Sequence, residues 1–250
     1  MRKIAKNCII SLLTIAVCVG AYVLLWTVTG NELLFPNLFS CVKETGVLLA
    51  SGWFWRAFSS TFLRVVLAFY ISVVLAVGFA VVSYLLPAFA RIFSPFIAFF
   101  RAVPTLAVLL IILVWTSAGV APVVVAFLTL FPALYAGIYA SLLGVDNNLI
   151  EMSKVYKVPD WERVIKLYLP SIAPQVVRES SASLGLGLKL VASAEVLAGT
   201  YLSMGGLMQE AKAYLDLPLL FALVFVCVLV GLALEWLGNV CAVAVQRRLQ

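Results

Sequence analysis

The sequence predicts an all-α membrane protein with about six transmembrane helices. Of its 250 residues, 64% are apolar and only 11% are charged, whereas soluble domains average roughly 45–50% and about 25%. The mean hydropathy is +1.13. Apolar runs of about 20 residues, long enough to cross a hydrocarbon core of ~30 Å, recur between polar intervals. The bilayer is therefore the expected solvent for most of the chain.

The apolar runs and the basic residues together predict a topology. The run that follows the basic N-terminus is long enough to span a bilayer and has no small-x-small cleavage site, so we interpret it as a span rather than a signal peptide. The predicted spans are 8–28, 60–86, 96–115, 122–143, 173–197 and 217–243.

Lysine and arginine concentrate on the predicted inner side, which places both termini in the cytoplasm. The inner segments carry Arg2, Lys3, Lys6, Arg91, Lys154, Lys157, Arg163, Lys166, Arg247 and Arg248, and the outer loops carry Lys43, Arg56 and Lys212. We expect a transmembrane helix within 1–30, an external segment with an interfacial helix at 31–57, and a helical core at 58–245 that includes cytoplasmic helices at 146–170.

Composition also excludes several kinds of site. The chain has no histidine, which rules out histidine-based catalysis and histidine-ligated metals. Its five cysteines form no CxxC pair, so no metal or disulfide framework is expected. No P-loop string is present, and ATP hydrolysis would need another chain. The net charge of +6 is explained by basic cytoplasmic loops and does not indicate nucleic acid.

The longest polar interval, DNNLIEMSKVYKVPDWERVIKLYLP at 146–170, predicts two short helices joined by an elbow. Asp146 can cap the first helix, and Pro159 ends it because proline lacks a backbone donor. Asp160 can cap the second helix, and Leu169-Pro170 close it. One apolar stripe follows the second helix at helical spacing: Trp161, Val164, Ile165 and Tyr168.

This interval resembles the cytoplasmic loop of the permease subunits of binding-protein-dependent ABC importers. That family carries Glu-Ala-Ala, three residues, Gly, about nine variable residues, then an apolar residue, one more and Leu-Pro. The matching positions here are Glu151, Leu167, Leu169 and Pro170. Met152 and Ser153 replace the two alanines, and Lys157 replaces the glycine that permits a tight bend, so the elbow geometry stays open.

Two further positions are similar to the same family. Arg101 and Pro104 match an Arg-x-x-Pro at the head of the third span. Ala194 and Glu195, followed by Gly205-Gly206-Leu207, match an Ala-Glu pair and a Gly-Leu-Gly turn. The resemblance covers about 55–245 and is strongest to the nitrate, sulfonate and taurine type.

The resemblance implies a type I, MetI-like permease in the bacterial cytoplasmic membrane. It further implies a second permease copy, identical or different, two cytoplasmic ATPase subunits that hold ATP-Mg, and an extracytoplasmic solute-binding protein. Membrane lipid is the remaining partner, and this chain itself would bind no cofactor and perform no bond chemistry. The 146–170 loop would dock into the ATPase through the residues Glu151, Met152, Ser153, Lys157, Trp161, Leu169 and Pro170.

Charged groups within the predicted spans are candidates for the translocation pathway. These candidates are Arg101, Pro104, Lys189 and Glu195. Lys189 either pairs with an acid on a neighbouring span or lies on an anion pathway, and Glu195 is expected near the outer interface. Arg64 is expected to extend to the headgroups. The solute would be small, of the sulfonate, nitrate, taurine or vitamin-precursor class, and the two cations favour an anion.

Two other functions are compatible with a polytopic membrane protein. A stand-alone secondary transporter or channel would use Arg101, Lys189 and Glu195 as an ion path, but it leaves the 146–170 elbow unexplained and the sequence shows no inverted halves. A membrane-embedded enzyme is disfavoured because the chain lacks histidine and any pair of acids at intramembrane depth.

Overall fold

The computed structural model describes residues 36–249 together with residues 17, 20, 22–24, 26–28 and 30. The described residues of 17–28 are helical, but most of the predicted span at 8–28 lies outside the described residues. Within the described part of the chain, every regular element is helical and no strand occurs. The all-α prediction is therefore confirmed.

The helices follow one another with short connections. Their bounds are α1 Leu38–Ala50, α2 Gly52–Leu85, α3 Pro87–Ala102, α4 Thr105–Trp115, α5 Ala121–Leu143, α6 Asn147–Val155, α7 Asp160–Ala198, α8 Met204–Ala213 and α9 Leu217–Leu249. Four of these, α2, α5, α7 and α9, are long and apolar enough to cross a membrane. The pair α3 and α4 could form a fifth span, and the two helices are bent by 95°.

Two predicted span boundaries are wrong. The second span begins at Gly52 rather than near residue 60, so the aromatic cluster Trp53–Arg56 lies on the first turn of α2. The third span is not one helix, because Pro104 restricts Val103 to an extended conformation with φ −71° and ψ 131°. Arg101 therefore lies in the last turn of α3, beside the break, and not inside a continuous span.

Small side chains let the spanning helices approach one another closely. One face of α2 buries a residue at every third or fourth position: Phe54, Ala57, Thr61, Val65, Ala68, Ser72, Ala76, Ala80 and Ser83. This face packs on α5 and α7, and α7 also packs on α9. Large residues such as Leu130, Leu134, Ile138 and Leu188 fill the space between the helices.

The bundle has two distinguishable ends. At one end, which we call the α6 end, Tyr84 of α2 contacts Tyr168 of α7 with ring centroids 4.9 Å apart. At the other, the α8 end, the Thr200 hydroxyl donates to the carbonyl of Ala118 at 2.7 Å and Arg64 reaches the carbonyl of Gly119. The segment 146–170 and the α8 helix therefore lie at opposite ends.

Candidate functional site

The first helix of the 146–170 segment forms as its sequence predicts. The Asp146 carboxylate caps α6 by accepting a hydrogen bond from the backbone N–H of Asn148 at 2.9 Å. At the other end of α6, the N–H of Val158 donates to Ser153 O at 3.0 Å and the N–H of Lys157 donates to Lys154 O at 2.9 Å. These two bonds form a Schellman motif.

Lys157 occupies the position at which this motif favours glycine. Its φ is +50°, in the left-handed region, where a Cβ is disfavoured. A lysine thus adopts the conformation that glycine would adopt more readily, and the elbow between α6 and α7 is present in spite of the substitution. The sequence leaves open whether the elbow forms with lysine at position 157, and in the structure it does.

Replacing Lys157 by glycine is expected to stabilise the elbow by about 1 kcal/mol, since the left-handed conformation then carries no Cβ penalty. The measurement is amide hydrogen exchange over 147–160, which should slow in Lys157→Gly. The control is Lys154→Gly in the helical part of α6, where glycine should speed exchange. Equal changes in both variants would contradict the assigned conformation of Lys157.

The second helix of the segment differs from the prediction at both ends. Asp160 is not an N-cap; it is the first helical residue, and its carboxylate pairs with Arg163. The helix also does not close at Leu169-Pro170. It continues through a π-helical turn, Val164–Tyr168, into the span, and α7 is continuous from Asp160 to Ala198.

The π-helical turn explains how Pro170 is tolerated. Proline has no N–H to donate to the carbonyl four residues before it. The wider turn uses bonds of i to i−5, as in the donation from the N–H of Leu169 to Val164 O. The consequence is a helix without an interruption between the exposed segment and the spanning part of α7.

The 146–170 segment exposes an unusual amount of apolar surface for a polar interval. Trp161 is 63% exposed and Met152 is 54% exposed. The full set of exposed large apolar side chains here is Leu149, Met152, Val155, Tyr156, Trp161 and Ile165. Such a cluster, with polar residues around it, is typical of a surface that binds another protein.

The remaining candidates in the segment take different positions. Glu151 and Lys157 are exposed beside the apolar side chains, and Leu169 and Pro170 are half-buried. Ser153 is buried, and its hydroxyl donates to the carbonyl of Ile150 at 2.6 Å. Ser153 therefore supports the fold of α6, whereas Glu151, Met152 and Trp161 are available to a partner.

Glu195 is wholly buried, three residues before the end of α7, at the α8 end of the bundle. One carboxylate oxygen is 2.7 Å from Nη1 of Arg64. The other accepts from the hydroxyl of Thr61 at 2.8 Å and from the N–H of Gly205 at 3.2 Å. In this structure the Glu195 carboxylate has no exposed surface and is held by groups of α2 and α8.

Arg64 does not extend to the headgroups as predicted. Besides Glu195, it donates through Nε to the carbonyl of Gly119 at 3.2 Å. Arg64, in α2, thus links the connection before α5 to Glu195 near the end of α7. In addition, the N–H of Met204 in α8 donates to the hydroxyl of Thr61 in α2 at 2.9 Å. The Arg64–Glu195 cluster therefore connects α2, α7 and α8.

Gly205 makes this close approach of α8 possible. A Cβ at this position would lie 2.6 Å from both Ala192 O and the backbone N of Val196. Because these are backbone atoms, no rotamer change can relieve the clash.

Replacing Gly205 by alanine is therefore expected to displace α8 and lower the thermal midpoint of the purified complex. Gly78→Ala is the control, since no atom lies within 4 Å of a Cβ built there and alanine favours the helix. If both variants keep the wild-type midpoint, α8 does not pack on α7 as described.

Lys189 faces an acid on a neighbouring span, one of the two alternatives that the sequence leaves open. Its Nζ is 4.0 Å from Oε1 of Glu235, and the two side chains are 59% and 36% exposed. Arg101 is also exposed, and no ion pair is found for it among the described residues. Lys189 and Glu195 thus have separate partners and do not form one ion path.

The sequence is similar to known membrane components of transport systems. A family described as "Binding-protein-dependent transport system inner membrane component" matches residues 72–250. A probable ABC transporter permease protein of Brucella melitensis is 29% identical over 229 residues, which cover 90% of this chain and 91% of that protein. The taurine transport system permease protein TauC of Escherichia coli is 23% identical over 258 residues, covering 98% of this chain and 90% of TauC.

A solved structure shares the same fold. It is the MetNI methionine ABC transporter in an inward-facing conformation, matched with a TM-score of 0.65 and 18% identity over 77% of this chain and 96% of the matched chain. The all-α, MetI-like architecture is confirmed by this match. Because the family match covers most of the sequence, the chain belongs to the inner membrane components of binding-protein-dependent transport systems.

Proposed function

We propose that this chain forms the solute pathway of an ATP-driven importer and that its 146–170 segment docks onto a separate cytoplasmic ATPase. The observation that carries the proposal is the exposed apolar set at the α6 end, led by Met152 and Trp161. Exposed apolar helices with a polar rim fit a groove on a partner protein. Glu151 and Lys157 supply part of that rim.

The continuity of α7 supports a mechanical role for the segment. Trp161 and Lys189 belong to one helix, Asp160–Ala198, without a break between them. A displacement of the docked end would therefore be transmitted along the span. Leu169 and Pro170 directly follow the π-helical turn and are the positions at which the docked end joins the spanning part.

The complex that fits this function contains several further chains. It comprises a second permease copy, two ATPase subunits that bind ATP-Mg, and an extracytoplasmic solute-binding protein, in a bacterial cytoplasmic membrane with both termini inside. ATP binding would bring the two ATPases together and move the paired segments, which switches access to the pathway from one side to the other. This chain would supply the solute pathway and the 146–170 segment that transmits the movement, and the ATPase would hydrolyse ATP.

The solute we propose is a small sulfonate or a chemically similar anion. TauC, named for taurine transport, is similar to this chain over almost its full length. Arg101 and Lys189 are exposed cations on α3 and α7, and cations that face water or protein within a membrane attract anions. Pro104 contributes indirectly, because it sets the break that follows Arg101.

Uptake into proteoliposomes tests the proposal. Vesicles that contain this chain with its cognate ATPase and binding protein should accumulate solute only when ATP is present. Uptake should cease when the P-loop lysine of the ATPase is replaced, since that lysine contacts the phosphates. Full uptake by this chain alone would show instead a stand-alone secondary transporter or channel.

A further inference from the structure

Lys189 and Glu235 form a loose pair of opposite charges within two spanning helices, α7 and α9. The 4.0 Å between Nζ and Oε1 exceeds a hydrogen bond, and both side chains keep exposed surface. Among the described residues, neither side chain has another hydrogen-bond or ion-pair partner. Both groups therefore retain open positions for a ligand.

Glycines make room for the two charges. A Cβ at Gly185 would lie 2.4 Å from Oε1 of Glu235, and a Cβ at Gly231 would lie 4.0 Å from Cε of Lys189. Further along the same helix pair, a Cβ at Gly238 would lie 2.4 Å from Cβ of Ser181. The close contact of α7 with α9 thus holds the Glu235 carboxylate against α7, beside the Lys189 side chain.

The exposed faces of α7 and α9 differ in character. The α9 face is apolar, as lipid requires: Val224, Phe225, Val228, Leu229, Leu232 and Trp236. The α7 stripe mixes charged, small and apolar residues at helical spacing: Arg178, Ala182, Leu186, Lys189, Ser193 and Leu197. A charge that faces lipid is costly, so the α7 stripe faces water or protein, and the charge pair lies at its edge.

We propose that Lys189 and Glu235 form a two-pole site for a zwitterionic solute that carries a sulfonate at one end and an ammonium at the other. The Lys189 ammonium donates to the sulfonate, and the Glu235 carboxylate accepts from the solute ammonium, both as charge-assisted hydrogen bonds. Without solute the two protein charges neutralise each other. The inference rests on the proposed transport function and narrows its solute to an aminoalkanesulfonate.

Binding to the nucleotide-free permease–ATPase complex in detergent tests the site, with ligand-observed NMR and three probes. Taurine carries both poles, ethanesulfonate lacks the ammonium, and ethylamine lacks the sulfonate. Taurine should bind at least about tenfold more tightly than either single-pole probe. Glu235→Gln, which is nearly isosteric beside Gly185, should reduce taurine to the affinity of ethanesulfonate, and Lys189→Met should remove sulfonate binding.

The double variant Lys189→Met with Glu235→Met separates a binding site from a structural ion pair. An ion pair that only stabilises can often be replaced by apolar residues without loss, so wild-type taurine affinity in the double variant would overturn the proposal. Equal affinity of the wild type for the three probes would overturn it as well. Lys212→Met, an exposed charge on α8, is the control and should bind taurine normally.

The outcomes distinguish this inference from the proposed function. ATP-driven uptake by the wild type together with unselective binding would refute the two-pole site and leave the importer intact. Absence of ATP-driven uptake of any solute would refute the importer itself.

Discussion

Replacing Arg64 by methionine is expected to destabilise the bundle by about 3–5 kcal/mol, the usual cost of removing one partner from a buried ion pair. The remaining Glu195 carboxylate has no exposed surface. It would retain hydrogen bonds from Thr61 and from the N–H of Gly205, but no compensating charge. Because the Arg64 side chain is only 17% exposed, solvent screens the pair weakly.

Thermal unfolding of the purified complex measures this loss, and Arg56→Met is the matched control. Arg56 lies on the same helix but is exposed and has no ion pair among the described residues, so its replacement should change little. Adding Glu195→Gln to Arg64→Met should recover part of the loss, because the neutral amide removes the unpaired charge and still accepts hydrogen bonds. Glu195→Gln is also measured alone. If the loss of stability in the double variant equals the sum of the losses in Arg64→Met and Glu195→Gln, the two side chains do not form a buried pair.

Trp161→Ala is expected to weaken the complex with the ATPase by 2 kcal/mol or more, which is about 30-fold in affinity, because a tryptophan at the centre of an interface is commonly a hot spot. Trp161 is largely exposed at the α6 end. Its fold contribution is therefore small, and the variant should remain a stable membrane protein.

Affinity of the detergent-purified chain for the isolated ATPase measures this effect. Trp115→Ala is the control, since Trp115 is an exposed tryptophan on α4, away from the 146–170 segment. It should bind the ATPase as the wild type does. Equal losses in both variants, or none in Trp161→Ala, would remove Trp161 from the interface.

Local rules predict much of the 146–170 segment. The cap at Asp146 and the elbow before Pro159 depend on residues close in sequence, and both are present. The same local rules fail at Pro170, because they do not anticipate that a π-helical turn can accommodate a proline, which has no N–H to donate within a regular helix. The prediction of a separate second helix was wrong for that reason.

The cluster around Glu195 could not be predicted from local pattern because its partners are distant in sequence. Arg64 and Glu195 are 131 residues apart. A topological signal was available, however: the predicted spans place an arginine early in the second span and a glutamate late in the fifth, hence at the same end of the bundle. Two opposite charges at similar depth favour pairing over separate exposure.

The most direct test of whether the 146–170 segment docks onto a separate ATPase is a photo-crosslinking amino acid at position 152. Met152 is exposed at the α6 end. In cells, we expect a covalent product between this chain and its cytoplasmic ATPase from position 152, and none from position 214, an exposed tyrosine at the α8 end. A product from position 214 but not from 152, or labelling of position 152 from outside the cell, would contradict this docking.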